Sequence, residues 1–270
     1  MSRNGEDIAG EVSKMDHVVT KEQAELIFRL TGCFEQHGWN YALIGAMGLI
    51  VQGIELRRVT MDLDFTVLIN TDVKENIGGY LRGCGLKETR IPHRYEFKEM
   101  LVDIIPVFEG SGKLFAYWST SEKMSIVGYK EAINRAETKK IETDPGLITI
   151  KVAPIPLIVF LKLVACSERV ESNDFDYADK HLNDILKCLE QYESASDRRF
   201  DYIEEVGWAE DQFECAGSFL MGMDLKKISS WEIQESFVNY VNTCRFYKQN
   251  GSRKMMLDCF KRGFSYENNG

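Results

Sequence analysis

The stretch YALIGAMGLIVQGIELRRVTMDLDF, residues 41–65, decides how the first half of this chain folds. It begins with an apolar run that has the length and composition of a buried strand and ends at Gly45. We expect a short helix from Ala46 to Gln52 and then a loop. The next predicted strand, MDLDFTVLI, places two aspartates, Asp62 and Asp64, among residues that otherwise look like core.

The two aspartates are expected to share one face of this strand. Residues i and i+2 of a strand project to the same side, so Met61, Leu63 and Phe65 would fill the opposite face. Neighbouring carboxylates repel each other, and ionising both is costly unless a cation lies between them. Mg²⁺ suits such a pair because it takes carboxylate oxygens together with substrate phosphates. The alternative is an ordinary polar face on an edge strand.

A third acid, Asp103, lies in the otherwise apolar segment MLVDIIPV. A buried aspartate is unfavourable without a partner. If its strand is a neighbour of the first, three carboxylates converge and can hold two divalent ions, as in nucleotidyl transfer. The sequence therefore predicts that Asp62, Asp64 and Asp103 bind two Mg²⁺ ions, with Mn²⁺ as the alternative metal.

The glycine before the short helix predicts a phosphate contact. In LIGAMG, Gly45 directly follows a strand and opens a helix, where the backbone approaches a ligand closely and free N–H groups face outward. Gly45 and Ala46 are thus candidates for binding a triphosphate. A simple turn is the alternative.

Composition narrows the class of protein. The chain has 270 residues and a formal net charge of −9, which argues against a general nucleic-acid binder, although a local basic patch is compatible with it. The seven cysteines are odd in number and lack C-x-x-C spacing. We therefore expect free buried thiols, no disulfide and no zinc. The polar N-terminus and the short apolar runs predict a cytoplasmic protein with no membrane partner.

The predicted fold class is α+β, with a mixed β-sheet flanked by helices and a C-terminal helical domain. We predict a flexible tail at 1–19, a catalytic domain at 20–153 and a helical domain at 154–270. Region 111–145 has no clear assignment. In the second half the apolar spacing predicts helices only, at 155–169, 174–191, 195–206, 208–221, 230–248 and 252–262.

The order strand, glycine, helix, loop, D-x-D and a later strand with one aspartate resembles the polymerase-β-type nucleotidyltransferase superfamily. The segments GAMG and RVTMDLDF are similar to the AbiEii/AbiGii-toxin-like branch. That branch has two small residues after the strand and then R-x-T-x-D-[IL]-D. Arg58 and Thr60 match this pattern together with the two aspartates. Ala46 departs from it, since a second glycine or a serine is usual there.

The resemblance resumes at VAPIPLIVFLKLVACSERVESNDFDYAD, residues 152–179. Family members have a proline-led helix with an internal lysine and then an arginine, which Lys162 and Arg169 match. Acids follow, with Asp174, Asp176 and Asp179 as candidates, and Asn173 replaces the usual lysine. From the residues alone, Lys162 in so apolar a helix needs a partner. The alternative is a lysine that reaches solvent at the helix edge.

The resemblance implies a Mg²⁺-dependent nucleotidyltransferase that moves a nucleoside monophosphate from an NTP to an acceptor hydroxyl. Asp103 would complete the second metal site and help to deprotonate the acceptor. Arg58, Thr60, Lys162 and Arg169 would position the phosphates. Whether ATP, GTP or CTP is the donor stays open.

The resemblance also implies a tRNA acceptor and a bacterial toxin, of the toxin–antitoxin or abortive-infection type, with a cognate antitoxin protein as partner. A protein hydroxyl is a second acceptor class. A small-molecule acceptor, as in antibiotic nucleotidyltransferases, and a non-catalytic descendant that binds a nucleotide or a partner protein are the alternatives.

Overall fold

The computed structural model describes residues 19–70, 77–108, 115–117, 123–143, 146–206, 212–247 and 251–267. Within these residues a seven-stranded mixed sheet is flanked by helices, and the second half of the chain is helical. The predicted fold class is confirmed. Of the tail predicted at 1–19, only Val19 lies within the described residues.

The first half alternates helices and strands. Its elements are α1 (Lys21–Gln36), β1 (Asn40–Ile44), α2 (Gly45–Val51), β2 (Leu63–Ile69), α3 (Ile77–Gly83), β3 (Lys87–Glu88), β4 (Arg94–Phe97), β5 (Met100–Phe108), β6 (Phe115–Tyr117), β7 (Lys123–Ser125), α4 (Tyr129–Asn134), β8 (Glu137–Thr143) and β9 (Gly146–Val152). Four of these, β6, β7, α4 and β8, come from the region that the sequence left unassigned.

The strand order in the large sheet is β3-β4-β5-β2-β1-β9-β8. The central β2 runs antiparallel to β1 and parallel to β5, so β2 and β5 are neighbours as the sequence analysis required. Leu63 and Phe65 are fully buried, as predicted. Met61 is 47% exposed, so its expected place in the core is wrong. The reason is that β2 begins at Leu63, which leaves Met61 and Asp62 just outside the strand.

The second half consists of α5 (Ile155–Glu171), α6 (Phe175–Gln191), a 3₁₀ helix (Asp197–Tyr202), α7 (Ile203–Val206), α8 (Gln212–Ile228), α9 (Trp231–Tyr247) and α10 (Gly251–Ser265). Helices lie at the predicted places, except that 195–206 divides into the 3₁₀ helix and a single α-turn and that α8 continues to Ile228, beyond the predicted end at 221. Residues 208–211 and 248 of the predicted helices lie outside the described residues. One apolar core runs from the sheet into α5 and α6. The predicted boundary at 153/154 therefore marks a change of element type inside a shared core. No helix among the described residues has the length and hydropathy needed to cross a bilayer.

Helices α8 and α10 pack backbone against backbone. A Cβ atom on Gly263 would lie 1.9 Å from the Phe219 carbonyl oxygen, and one on Gly222 would lie 2.2 Å from that of Phe260. Both distances are far below van der Waals contact, so only glycine permits this crossing.

The expected absence of disulfides is wrong. Cys33 on α1 and Cys84 at the end of α3 form a disulfide, with their Cα atoms 6.2 Å apart. The disulfide could not be predicted from the sequence, because the two positions are 51 residues apart and meet only through the packing of the two helices. The other five cysteines are free and buried, as expected.

Candidate active site

The pairing of three strands brings the candidate carboxylates together. Asp64 on β2 is in register with Asp103 on β5, and Asp103 is in register with Arg94 on β4. On its other side, Asp64 is in register with Ile44, the last residue of β1, after which Gly45 begins α2. The glycine turn and the two aspartates therefore lie side by side on the neighbouring inner strands β1, β2 and β5.

Gly45 is required here for two physical reasons. Its φ angle is +68°, a left-handed conformation that disfavours other residues. A Cβ atom at this position would lie only 1.9 Å from Asp64 Oδ2. The turn and the carboxylate are thus in direct contact. Ala46, by contrast, is 5% exposed and belongs to the core, which gives its methyl group a packing role.

The Asp64 carboxyl group lies in an environment that disfavours its charge. Desolvation, together with the neighbouring charge of Asp103, raises its pKa to about 6. The charges of Lys162 and Lys180 oppose this shift. Among the described residues no hydrogen bond or ion pair reaches the Asp64 carboxylate. A cation would supply the missing compensation.

Asp103 has a partner that the sequence analysis missed. Arg94 binds it through two parallel hydrogen bonds, Nε to Oδ1 and Nη2 to Oδ2, each 2.8 Å long. The sequence alone does not mark Arg94, because it meets Asp103 only through the pairing of β4 with β5. This bidentate pair compensates one carboxylate of the site, while each oxygen keeps a second lone pair for another ligand.

Asp62 and Thr60 lie in the loop that leads into β2. Asp62 is partly buried, and its charge contributes to the raised pKa of Asp64. The Thr60 carbonyl oxygen accepts a hydrogen bond of 2.9 Å from Gln23 Nε2 on α1. This bond anchors the loop to the first helix, beside the carboxylates.

The donor set fits a hard divalent cation. Asp62 and Asp64 offer carboxylate oxygens without partners among the described residues, and Asp103 offers oxygens that Arg94 only partly engages. Such oxygens are the ligands that Mg²⁺ and Mn²⁺ prefer. Burial and, after it, the charge of Asp103 raise the pKa of Asp64, and a bound cation would compensate both effects.

Arg58 and Lys162 meet at a residue that the sequence analysis did not single out. Arg58 donates to both carboxylate oxygens of Asp184, over 3.0 and 2.7 Å. Lys162 Nζ donates to Oδ2 of the same group over 2.8 Å. The Lys162 side chain is 7% exposed, so the alternative that it reaches solvent is wrong.

Asp184 lies in the polar segment DKHLNDILK of α6, so the sequence alone does not mark it as a buried acid. Burial opposes its ionisation, yet the hydrogen bonds from Arg58 and Lys162 hold its pKa below the usual range. Arg58, Lys162 and Asp184 form a buried triad that links the loop before β2 to α5 and α6. The charge of Lys162 in this triad acts on Asp64.

Arg169 is not brought to the carboxylates. It lies about 10 Å further along α5 than Lys162. It is half-exposed, pairs with Asp174 over 3.0 Å and stacks on Tyr177. Asn173, where the family usually has a lysine, adopts φ +60° and ends α5. Its N–H bonds to the Val170 carbonyl and that of Asp174 to the Arg169 carbonyl, which is a complete Schellman motif.

An open cavity of about 730 Å³ adjoins the triad. Leu56 and Arg58, one face of α6, and the first turns of α8 and α10 line it. Asp176 and Asp179, two of the acids named from the resemblance, belong to this lining. So does Lys180, an exposed lysine with no ion pair among the described residues, whose charge acts on Asp64. The sequence analysis missed Lys180 because its helix position alone resembles any solvated lysine.

No protein-family model matches the sequence, and no curated protein matches it significantly. Among solved structures, the chain is similar to an antigenic nucleotidyltransferase-like protein from Paracoccidioides brasiliensis, with 14% identity over 63% of this chain and 77% of that one, at a TM-score of 0.41.

Two structures of ANT(2″)-Ia are also similar. One, in complex with adenylyl-2″-tobramycin, has 13% identity over 61% of this chain and 86% of that one, at a TM-score of 0.38. The other, a solution structure of the antibiotic-resistance factor, has 11% identity over 84% and 98%, at a TM-score of 0.37.

Proposed function

We propose that this chain is a metal-dependent nucleotidyltransferase that transfers a nucleoside monophosphate from an NTP to an acceptor hydroxyl. The observation that carries the proposal is the register of Asp64 with Asp103, directly beside the Gly45 turn. Carboxylates next to a close backbone approach are what a metal–triphosphate complex requires. The resemblance of the sequence to polymerase-β-type nucleotidyltransferases supports the same reaction.

In this proposal Asp62, Asp64 and Asp103 hold two Mg²⁺ ions, or Mn²⁺ in their place. The bound ions would neutralise the phosphates and favour attack at the α-phosphorus. The acceptor oxygen forms a bond to the α-phosphorus, and the bond from that phosphorus to the pyrophosphate oxygen breaks. Asp103, oriented by Arg94, receives the hydroxyl proton on a carboxylate oxygen.

The cationic residues divide into two groups. Lys180, which lines the cavity without an ion pair among the described residues, would balance the charge on the triphosphate and on the leaving pyrophosphate. Arg58 and Lys162 would act mainly through Asp184, by fixing the loop before β2. Gly45 and Ala46 are proposed to present backbone N–H groups, and Thr60 and Arg169 stay predictions for nucleotide contact.

For the acceptor we propose a macromolecular hydroxyl, of tRNA or of a protein, with the chain acting as a bacterial toxin beside an antitoxin. This part rests on the sequence resemblance to the AbiEii/AbiGii-like branch at Arg58, Thr60, Asp62 and Asp64. The open cavity next to the triad is compatible with a large acceptor, because it is not enclosed.

The test is transfer of label from each α-³²P-labelled NTP, with Mg²⁺, to a mixture of total tRNA and cell protein. Wild type is compared with Asp64→Asn and with the control Asp201→Asn, an exposed aspartate far along the chain. Label on RNA or protein with wild type and the control, but not with Asp64→Asn, supports the proposal and names the acceptor.

Thermal unfolding with Mg²⁺ and each NTP separates the failures. If metal and nucleotide together stabilise the chain but no macromolecule is labelled, the proposal of a tRNA or protein acceptor is overturned. A small-molecule acceptor is then favoured. If neither labelling nor stabilisation is observed, the proposal of a nucleotidyltransferase is overturned, and a non-catalytic descendant is favoured.

A further inference from the structure

A second cluster of reactive side chains lies outside the candidate active site. Cys33, His37 and Cys84 each offer one ligand atom, and these atoms all lie within 4.8 Å of one another. We propose that, in its dithiol form, this cluster is a binding site for Zn²⁺ or a similar transition metal. The proposal is independent of the proposed function.

The end of α1 presents two of the three ligands on one face. Cys33 and His37 are four residues apart, the spacing that places side chains one above the other on a helix. The helix ends at His37 because Gly38 takes φ +66°. The Trp39 N–H bonds to the Phe34 carbonyl over 2.8 Å, which completes a Schellman motif and fixes the position of His37.

The end of α3 presents the third ligand in the same way. Gly85 takes φ +87°, and the Leu86 N–H bonds to the Leu81 carbonyl over 3.1 Å. Cys84 thus lies between the last residue of α3 and Gly85, the glycine that terminates this helix. The C-terminus of α1 carries partial negative charge, which disfavours free thiolates and favours a bound cation.

The histidine is held beside the sulfur atoms by aromatic rings. His37 makes an edge contact with Tyr80, with ring centroids 4.7 Å apart, and a tilted contact with Trp39 at 5.1 Å. A cavity of about 420 Å³, lined by His37, Tyr80 and Cys84 among others, gives solvent access to the cluster. A disulfide by itself requires no imidazole at this place, whereas a metal site does.

Two thiolates and one imidazole form a typical zinc donor set. Zinc takes such ligands at about 2.0–2.3 Å and is four-coordinate, so three protein ligands leave one position for water or a small ligand. The two sulfur atoms are bonded to each other in the structure described here. The disulfide and the metal are therefore mutually exclusive states of one link between α1 and α3.

The conversion between the two states balances with a dithiol as reductant. Reduction transfers two electrons and two protons to the Cys33–Cys84 bond, leaves two thiols and converts the reductant to its own disulfide. Metal binding then releases the two thiol protons, because thiolate is the ligating form.

The experiment uses Co²⁺ as the probe with the full chain, reduced by a phosphine under anaerobic conditions. We expect about one equivalent to bind with thiolate-to-cobalt absorption and tetrahedral d–d bands, and Zn²⁺ to abolish both. The oxidised chain should show neither. Absence of these bands in the reduced wild type would overturn the proposal.

Two variants and one control assign the ligands. His37→Ala keeps both sulfur atoms and should weaken Zn²⁺ binding at least about tenfold, with changed d–d bands. Cys84→Ser should lose part of the thiolate absorption. Cys259→Ser, a buried cysteine on α10, is the matched control and should bind as wild type does. Circular dichroism checks that His37→Ala is folded. An unchanged Zn²⁺ affinity of the folded variant would exclude His37 as a ligand and overturn the proposed three-ligand site.

Discussion

Lys162 Nζ donates a hydrogen bond of 2.8 Å to Asp184 Oδ2 in the interior of the protein, where the two side chains are 7% and 3% exposed. Arg58 donates to both oxygens of the same carboxylate. A single acid thus compensates two cations that come from different parts of the chain, and this link joins the loop before β2 to the helical half.

Asp184→Ala is expected to lower the free energy of unfolding by about 3–5 kcal/mol, because it leaves Lys162 buried without a partner. Urea unfolding measures the change. The control is Glu25→Ala, since Glu25 also pairs with two cations, Arg29 and Lys98, but at the surface. We expect little change there. A similar effect of both substitutions would contradict the importance given to the buried triad.

Gly45→Ala is expected to abolish the stabilisation that Mg²⁺ and NTP give together, because a Cβ would displace the Asp64 carboxylate. Gly38→Ala is the matched control. Its φ angle of +66° is nearly the same as that of Gly45, but no other atom lies within 4 Å of its added Cβ. Both variants should lose about 1–2 kcal/mol of stability from backbone strain. Only the first should lose the ligand effect in thermal unfolding, and equal ligand responses would refute the contact.

Arg94→Met is expected to increase the stabilisation by Mg²⁺ alone. Without the guanidinium, Asp103 loses two charge-assisted hydrogen bonds next to Asp64, at a cost of about 1–3 kcal/mol. A divalent cation would restore part of that loss, so the Mg²⁺-dependent rise in Tm should exceed that of wild type. Arg82→Met removes the more exposed pair with Glu88 and should leave the Mg²⁺ response unchanged. A smaller Mg²⁺ response in Arg94→Met would argue against metal binding by these acids.

Gly263→Ala is expected to lower the free energy of unfolding by more than about 2 kcal/mol, because α8 and α10 must move apart to admit the methyl group. Gly83→Ala is the control on α3, where an added Cβ meets no atom within 4 Å. There the change should be small or stabilising, by up to about 1 kcal/mol. Chemical denaturation decides, and a neutral Gly263→Ala would contradict the close crossing.

His181 is expected to make the fold sensitive to acid. Its Nδ1 is buried without a hydrogen bond among the described residues. Desolvation and the charge of Lys162 lower its pKa to about 3, Arg169 and Lys180 act in the same direction, and Asp184 opposes them. Between pH 6.5 and 3 the unfolded chain therefore binds more protons, and stability falls as pH falls, by at most about 1.4 kcal/mol per unit.

The measurement is the urea midpoint from pH 7 to pH 4 for wild type and His181→Gln. For the variant, the urea midpoint should fall less with decreasing pH above pH 4. Below pH 4, protonation of Asp184 lowers the stability of both proteins. Identical slopes would show that His181 is not the sensitive group.

Much of the fold could be predicted because the signals are local. The apolar run before Gly45, the alternation in MDLDFTVLI and the helical spacing after Pro154 each depend on neighbours in sequence, and the structure has strands and helices in these places. Region 111–145 resisted prediction because its short β6 and β7 strands and the polar β8 carry no such periodicity.

In the candidate site, too, some residues could be predicted from local sequence signals and others could not. A lone aspartate in an apolar strand identifies itself, and so Asp64 and Asp103 were found from sequence. Arg94, the partner of Asp103, was not found, because it gains its meaning only from the pairing of β4 with β5. Asp184, which binds Arg58 and Lys162, gains its meaning only from the packing of α6 against α5 and the loop before β2.

By itself the sequence determined most of the element types, the candidate acids Asp64 and Asp103 and the glycine that opens α2, since these follow from periodicity, local polarity and backbone conformation. Only the tertiary structure decided which charges neutralise each other and which cysteines meet. Such contacts join residues that are distant along the chain, as Cys33 and Cys84 are, and their free energy depends on distances that packing alone sets.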